Sequence, residues 1–433
     1  ESSLSTFFLK LLDIDKLTAP AQGKAEERID GIEISLVLDV SGSMNSNRRL
    51  TRLKPAARDF VDTVLASAEE DNIAISVVPY ATQVGAGEAL LSKYDVSDEH
   101  DYSHCVNFRD NQFSTTTLYQ DDRLERTAHF DPFYYAEGEL RLPVCPDKPH
   151  LQILPFSNNR SDLHGYINGL TAGGNTSIDL GMKWGTALLD PTTQPVVTAL
   201  IDDGEIAAQF AGRPRAYSDS TTLKVIVLMT DGQNTNQYML NPSLRDGMSD
   251  VWYNESVDVN QGRYSVQRSR GQTTEYWWPF TQTWENHPYG NGGGEQCDWE
   301  RKRGRWVWTC RELNEPGEAV QLTYPELFNR TSLAWNAEYN YGFQGNRWQQ
   351  WFNNAKTYKN STAKDQRTKH ICNSAKDEGI VVFTVGFEAP SRGQRVLKDC
   401  ASSDSHHFDV DGLEIEDAFA SIAASIRKLR LTQ

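Results

Sequence analysis

The stretch LVLDVSGSM, residues 36–44, joins a run of apolar β-forming residues to an aspartate and two closely spaced serines. It belongs to a longer segment, EISLVLDV (33–40), that is mostly apolar on both faces. Such a pattern is typical of a central strand in a parallel sheet covered by helices. The segments IAISVVPY (73–80), KVIVLMT (224–230) and IVVFTVGF (380–387) share it. We therefore predict that these four segments form strands of one parallel sheet.

Helical periodicity appears between these strands. Apolar residues recur every three to four positions between the first two strands, at Leu50, Leu53, Ala57, Phe60, Val64 and Ala68. Further helices are predicted at 161–170 with Ser161 as the cap, at 177–189, at 363–379 ending at Gly379, and at 413–429 with a stripe of Ile415, Phe419, Ile422 and Ile426. This order of elements predicts an α/β fold with a doubly wound, mostly parallel sheet.

Long segments interrupt this pattern at about 91–155, 190–222 and 237–362. We expect one domain over 31–433 that carries these segments as large inserts, preceded by an N-terminal segment, 1–30, that leads from an upstream membrane anchor. Within it, LSTFFLKLLDI (4–14) has the spacing of a short docked helix; the alternative is the remnant of an export or anchor segment.

The third insert holds ten of the eleven tryptophans. These rings could build a core for a compact subdomain, expose an aromatic surface for a glycan or a protein partner, or form an oligomer interface. We expect a compact subdomain over 237–362, stapled by a disulfide between Cys297 and Cys310.

Charge and cysteine content restrict the partners and the compartment. With 43 basic and 59 acidic residues the formal net charge is -16, which disfavours binding to nucleic acid and to anionic membranes. The six cysteines form sequential neighbours, Cys105 with Cys145, Cys297 with Cys310 and Cys372 with Cys400, although six cysteines allow about 15 pairings. No C-x-x-C spacing occurs. We expect disulfides, including Cys372–Cys400, and an oxidising compartment.

Oxygen-bearing side chains follow three of the predicted elements. Asp39 ends the first strand, and Ser41 and Ser43 lie on the turn beyond it. GGNTS supplies Thr176 after a glycine pair, and LMTDG supplies Asp231 at the end of a strand. Because ligands of doubly wound sheets bind at the carboxyl ends of the strands, we predict that these five residues meet there. Carboxylate and hydroxyl oxygens suit a hard divalent cation, with Mg²⁺ preferred and Mn²⁺ or Ca²⁺ as alternatives.

The motifs DVSGS, NTS and TDG resemble the metal-ion-dependent adhesion site of von Willebrand factor A domains, whose fold is Rossmann-like. The resemblance implies that Ser41, Ser43 and Thr176 are direct or near-direct ligands, and that Asp39 and Asp231 ligate directly or through water. It also implies that the open coordination position accepts a carboxylate from an Asp or Glu of a protein partner.

A narrower resemblance extends beyond these motifs. AEERIDGIEISLVLDVSGSM, KVIVLMTDGQNT, LKDCASSDSHHFDV and the ending IRKLRLTQ resemble the TadG-like proteins of bacterial tight-adherence pilus systems. This resemblance implies a pilus assembly or adhesion role at the periplasmic or extracellular surface of a Gram-negative bacterium. It also implies a pilin or another pilus component as partner, and membrane contact only through a segment upstream of this chain.

Enzymatic readings have little support in the sequence. It contains no P-loop, no HExxH, no GxSxG and no dinucleotide-binding fingerprint. We therefore expect a protein that is not an enzyme. Two alternatives stay open: a structural scaffold whose metal only stabilises the fold, and Mg²⁺-dependent phosphoryl transfer with Asp39 as the nucleophile.

Overall fold

A six-stranded sheet forms the centre of the molecule, described here from a computed structural model that covers residues 2–5, 16–19, 29, 31–67, 72–138 and 140–432. Its strands are β1 (Gly31–Asp39), β2 (Ile73–Tyr80), β3 (Leu154–Ser157), β4 (Thr222–Thr230), β5 (Val381–Phe387) and β6 (His407–Val410). They lie in the order β3-β2-β1-β4-β5-β6, and all neighbours are parallel except β2 and β3. The order reverses between β1 and β4, so the prediction of a doubly wound, mostly parallel sheet is confirmed.

Helices cover both faces of this sheet. They are α1 (Arg49–Leu65), α2 (Arg160–Gly169), α3 (Ile178–Ala187), α4 (Gln194–Asp202), α5 (Ser361–Asp377), α6 (Ser391–Cys400) and α7 (Glu414–Thr432). α1, α2 and α7 pack on one face, where the Phe60 and Phe419 rings meet edge to face at 5.9 Å. Residues of α3, α4, α5 and α6 belong to the core of the other face.

The buried stripe of α7 and the N-terminal cap of α2 were both predicted at the level of single residues. The predicted stripe on α7 is confirmed, because Ile415, Phe419, Ile422 and Ile426 are all buried. The predicted cap of α2 was wrong: Asn159, and not Ser161, caps this helix, accepting from the backbone N–H groups of Ser161 and Asp162. An asparagine two positions earlier satisfies two N–H groups that otherwise lack a partner.

A buried ion cluster lies near the amino-terminal ends of the strands. Glu33 on β1 is fully buried, and its carboxylate accepts from Lys224 Nζ at 2.6 Å and from Arg213 Nη1 at 3.3 Å. Lys224 lies on β4, whereas Arg213 belongs to the segment that the sequence reading placed in the second insert. That segment also contains α4, whose Val196 and Leu200 are buried in the sheet core. This part of the chain is therefore integral to the central layer.

The first and third inserts share one hydrophobic core. The third contains an antiparallel sheet in the order Thr283–Glu285, Thr273–Trp278, Tyr264–Arg270, Met248–Asn254 and Ala319–Thr323, followed by helices Tyr324–Arg330 and Leu333–Glu338. Its ends, Gln237–Leu240 and Lys356–Lys359, pair with each other. Helix Glu88–Leu91 ends where the first insert begins, and the first insert adds a short pair, Val106–Asn107 with Glu125–Arg126. Phe130 and Val144 of the first insert pack in one cluster with Tyr264, Trp335 and Trp351 of the third.

A two-stranded ribbon, Gly293–Lys302 with Arg305–Asn314, extends the third insert. Within the described ranges, its strands pair only with each other. The Cys297–Cys310 disulfide joins these two strands, so it stiffens the ribbon and does not staple the subdomain as expected. Cys372 is bonded to Cys400 as predicted, and Cys105 is bonded to Cys145.

The N-terminal segment is described only in part. Ser2–Ser5 and Lys16–Ala19 pair as antiparallel strands. The helix predicted over 4–14 is wrong for residues 4 and 5, which lie in a strand, and its remainder lies outside the described residues. In the portions that the structure covers, no helix combines the length and hydrophobicity needed to cross a bilayer.

Candidate metal centre

Two aspartates end neighbouring strands at the point where the strand order reverses. Asp39 ends β1, and Asp231 directly follows β4. Asp39 is fully buried, and both of its carboxylate oxygens accept hydrogen bonds: Oδ1 from the backbone N–H of Ser41 at 2.7 Å, and Oδ2 from Thr230 Oγ1 at 2.5 Å. These bonds fix the Asp39 carboxylate at the carboxyl edge of the sheet, where the sequence predicted it.

The two predicted serines connect these aspartates. Ser41 Oγ and Ser43 Oγ lie 3.1 Å apart, and Ser43 Oγ donates to Asp231 Oδ1 at 2.7 Å. Ser41 is buried whereas Ser43 is exposed. The turn Gly42–Arg48 that carries Ser43 therefore closes the inner side of the cluster and leaves an opening toward solvent.

Thr176 reaches the same cluster from the loop that precedes α3. The backbone N–H of Gly42 donates to Gly174 O at 3.0 Å, which joins this loop to the serine turn. A Cβ placed on Gly232 would lie 3.6 Å from Thr176 Oγ1 and 3.8 Å from Ser43 Oγ, so both hydroxyls flank one point. The structure therefore brings all five predicted residues together.

The glycine at position 174 is required by this geometry. Its φ is +80°, in the region that disfavours side chains, and a Cβ there would lie 2.6 Å from Thr82 Oγ1. That hydroxyl accepts from the backbone N–H of Asn175 at 2.8 Å. Only glycine allows this close approach of the Thr176 loop to β2.

A buried lysine anchors the Thr176 loop through hydrogen bonds to backbone carbonyl groups. Lys364 Nζ on α5 donates to Thr176 O at 2.8 Å and to Thr235 O at 2.9 Å. Thr176 and Thr235 bond to each other as well, because the Thr176 N–H donates to Thr235 Oγ1 and the Thr235 N–H to Thr176 O. Burial lowers the pKa of Lys364 to about 8. Sequence reasoning missed Lys364, which lies 188 residues from Thr176.

An arginine contacts the cluster from the solvent side. Arg49, at the start of α1, donates through Nη1 to Asp231 Oδ2 at 2.8 Å and through Nε to Glu388 Oε2 at 2.9 Å. Glu388 follows β5 and also accepts from Asn47 Nδ2. The sequence reading missed Arg49 and Glu388, because no local pattern connects positions so far apart along the chain.

The electrostatics of the cluster favour a bound cation. Burial, and the nearby charge of Asp231, raise the pKa of Asp39 from 3.8 to about 7. Two carboxylates placed close together away from water repel each other, and a cation between them offsets that repulsion. With two carboxylates, three hydroxyls and an opening for water, the donor set fits a hard divalent ion such as Mg²⁺.

A cavity opens beside the cluster. Its volume is about 110 Å³, and it lies between the Thr176 loop and the first insert. The lining includes Ala172, Gly173 and Gly174 on one side and Leu142, Pro143, Arg141 and Lys148 on the other. Its surface is mainly apolar, and the charged residues of its lining are Arg141, Lys148 and Asp147.

Comparison with known proteins gives weak likenesses only. No protein-family profile matches the chain, and no curated protein matches it. Among solved structures, the chain is similar to the vWF domain of the type V pili tip protein Mfa5 from Porphyromonas gingivalis, with 13% identity, coverage of 94% of this chain and 97% of that one, and a TM-score of 0.38.

Two further structures are comparable. The pilus adhesin SpaC from Lactobacillus rhamnosus GG is 12% identical over 93% of this chain and 31% of its own, with a TM-score of 0.35. The pilus adhesin RrgA from Streptococcus pneumoniae is 15% identical over 92% of this chain and 44% of its own, with a TM-score of 0.35. These TM-scores are too low for the similarity to indicate a shared function.

Proposed function

We propose that this protein is a divalent-cation-dependent adhesion or assembly module of the bacterial cell envelope, built on a von Willebrand factor A domain. The observation that carries the proposal is the meeting of the hydroxyls of Ser41, Ser43 and Thr176 with the carboxylates of Asp39 and Asp231 at one edge of the sheet. Mg²⁺ is the preferred ion, with Mn²⁺ or Ca²⁺ as alternatives.

Each of the five residues has a role in binding the cation. Ser41, Ser43 and Thr176 ligate it through their hydroxyls, and Asp39 and Asp231 ligate it directly or through water. The bound ion supplies an electrophilic centre for an incoming carboxylate oxygen. Two aspartates match a charge of +2 without exceeding it, so an Asp or Glu of a partner is still attracted. The exposed position of Ser43 leaves the approach open.

The neighbouring cavity adds a second contact for such a partner. A small apolar side chain next to the partner's carboxylate would contact this mainly apolar lining. Arg141 and Lys148 outnumber Asp147 there, which would favour an acidic segment. The partner we propose is a pilin or another pilus component, in tight-adherence pilus biogenesis or pilus-associated adhesion. The three disulfides support a periplasmic or extracellular location.

An enzymatic role for Asp39 is disfavoured by its surroundings. A nucleophilic carboxylate must reach the substrate, whereas Asp39 is fully buried and both of its oxygens accept hydrogen bonds from Ser41 and Thr230. A non-enzymatic role therefore accounts better for the cluster. The scaffold alternative, with a purely stabilising metal, differs from adhesion in one respect: it predicts no cation-dependent partner.

The test replaces Ser41 and Ser43 together by alanine and titrates Mg²⁺, Mn²⁺ and Ca²⁺ by calorimetry. We expect loss of cation binding with an unchanged fold, because both hydroxyls lie at the crevice and not in the core. Ser46→Ala, an exposed serine on the same turn, is the matched control and should bind cations normally. Unchanged affinity in the double variant would show that the DVSGS turn is structural.

A second measurement separates adhesion from scaffolding. The purified protein, immobilised with Mg²⁺ or with EDTA, is exposed to pilus components from an envelope fraction. Capture only with Mg²⁺, and its loss in the double serine variant, supports the adhesion site. Capture that persists in EDTA, together with a Mg²⁺-dependent rise in melting temperature, supports the scaffold.

A further inference from the structure

The ribbon Gly293–Lys302 with Arg305–Asn314 exposes three tryptophans near its tip. The exposed fractions are 57% for Trp299, 66% for Trp306 and 53% for Trp308. Trp299 pairs directly with Trp308, with ring centroids 5.4 Å apart, and Arg301 pairs with Trp306 two positions further on. Residues two apart on a strand share a face, so the three indoles and the Arg301 side chain lie on one face of the ribbon.

Four cationic residues cluster at the same tip. Arg301, Lys302, Arg303 and Arg305 are all exposed. The adjacent acid, Glu300, pairs with Lys302 at 3.1 Å, which leaves the tip with an excess of positive charge. The chain as a whole carries -16. Charge is therefore segregated, and the repulsion from anionic surfaces inferred from the net charge does not apply at this tip.

The ribbon holds these side chains in a fixed arrangement. Its ladder runs without interruption from the Gly293–Asn314 pair to the Lys302–Arg305 pair, and the Cys297–Cys310 disulfide crosses it. At its base, Glu315 Oε2 accepts from the backbone N–H groups of Gly290 and Gly292. A preformed ribbon loses little conformational freedom when it binds, which favours a role as a contact element.

We propose that the ribbon tip binds the surface of a bilayer that contains anionic lipid. Indole rings prefer the boundary between water and hydrocarbon, where their apolar rings are buried and the N–H group stays near water. Basic side chains next to them pair with lipid phosphates. This contact is separate from the proposed metal site, with which it shares no residue.

The test uses the whole 433-residue chain in EDTA, so that the proposed metal site plays no part. Flotation is measured with vesicles of phosphatidylcholine mixed with phosphatidylglycerol, and with vesicles of pure phosphatidylcholine, at low and high salt. We expect binding to the mixed vesicles that weakens with salt. Replacing Trp306 and Trp308 by alanine should weaken it by roughly tenfold or more.

Charge variants provide the second readout. Each basic residue near an anionic surface contributes roughly fivefold in affinity, so Arg303→Gln with Arg305→Gln should reduce binding about 25-fold at low salt. The controls are Tyr358→Ala, which removes a 58%-exposed aromatic ring outside the ribbon, and Lys398→Gln, which removes an exposed cation. Both controls should bind like the unaltered protein.

Several outcomes would overturn this assignment. They are absence of flotation with the mixed vesicles, equal binding to pure phosphatidylcholine, and unchanged binding of the tryptophan variant. Retention on the acidic polysaccharide alginate without vesicle binding would assign the ribbon to a glycan instead. Vesicle binding that needs Mg²⁺ and disappears in the double serine variant would assign it to the metal site.

Discussion

Asp231 is the residue at which an internal cation and the proposed metal ion would meet. One of its oxygens accepts from Ser43 Oγ and the other from Arg49 Nη1, and its side chain is fully buried. The Arg49 charge already neutralises part of the negative charge that Asp39 and Asp231 offer to a divalent ion. Arg49 therefore limits how strongly this cluster attracts a cation.

Replacing Arg49 by glutamine should tighten Mg²⁺ binding. The arginine side chain is partly exposed, so its charge is worth about 1 kcal/mol, or roughly fivefold in affinity. Arg52→Gln is the control, because Arg52 contacts Glu388 at 3.6 Å and forms no ion pair with Asp231. Calorimetric titration of both variants measures the effect. Weaker Mg²⁺ binding by the Arg49 variant would mean that the arginine positions the ligands instead of competing with the ion.

The site residues that could be predicted from the sequence differ in one physical respect from those that could not. Asp39, Ser41 and Ser43 could be found because they follow a recognisable strand, and parallel strands end at a common edge. Arg49 and Glu388, by contrast, act through a contact between positions 339 residues apart. Such pairs depend on the tertiary packing of α1 against the loop after β5, which no local pattern encodes.

Glu33 is the clearest example of a residue whose contribution to the stability of the fold could not be predicted from the sequence. It lies on the mostly apolar strand β1, and its carboxylate pairs with both Lys224 and Arg213. Glu33→Ala removes the carboxylate that two buried cations share, so the free energy of unfolding should fall by about 3–5 kcal/mol.

Urea unfolding in EDTA measures this loss. Glu205→Ala, at an exposed position of the same central layer, is the control and should be nearly neutral. Mg²⁺ affinity of the folded Glu33 variant should be unchanged, because Asp39 lies six positions after Glu33 on β1, about 20 Å away. A loss of Mg²⁺ binding in a variant that is still folded would contradict this division between the two edges.

At the scale of elements, the sequence was informative where burial is uniform. β1 and β2 are buried at every residue, and their apolar runs identified them. β3 escaped prediction because it is a four-residue antiparallel edge strand that contains Pro155. α4 escaped because it lies in a stretch whose neighbours, 203–221, are mostly turns. Short elements provide too few residues for a period to be recognised.

The first insert contains a buried histidine that should make folding depend on pH. His129 bonds through Nδ1 to Ser103 Oγ at 2.9 Å, and His100 lies beside it with ring centroids 6.1 Å apart. Burial, and then the charge of His100, lower the pKa of His129 to about 4. In the unfolded chain a histidine titrates near pH 6.5.

The direction of this pH dependence follows from the linkage between proton binding and folding. Between about pH 6.5 and pH 4 the unfolded state binds a proton that the folded state does not, so stability is full above this window and falls as the pH decreases through it. The loss attributable to His129 should not exceed about 3 kcal/mol. Urea unfolding at neutral and mildly acidic pH should show a smaller pH dependence in His129→Gln than in the control His370→Gln, an exposed site. An equal pH dependence of the unfolding free energy in both variants would contradict the role of His129.

At the scale of the whole molecule, the two contacts that we propose for other molecules lie at separate places. The candidate metal centre lies where the strand order of the central sheet reverses, and the inserted layer formed by the first and third inserts carries the ribbon. The tryptophans divide accordingly: Trp335 and Trp351 are buried in the inserted core, whereas Trp299, Trp306 and Trp308 are exposed. Net charge and tryptophan count could not reveal this division, because both average over regions with opposite character.

Removing the ribbon should separate these two contacts. Gly293 and Asn314 are direct partners across the ribbon, so a two-residue Asn–Gly turn can replace residues 294–313 without moving either end. The remainder should keep its melting temperature, because none of the ribbon side chains that the structure describes belongs to the cluster that includes Tyr264, Trp335 and Trp351, and the base stays tied by Glu315. We expect this variant to bind Mg²⁺ normally and to lose binding to phosphatidylglycerol-containing vesicles. A cooperative unfolding transition at unchanged temperature, measured by calorimetry, is the control for folding. A large drop in that temperature would show that the ribbon is part of the inserted core, and retained vesicle binding would place the lipid contact elsewhere on the molecule.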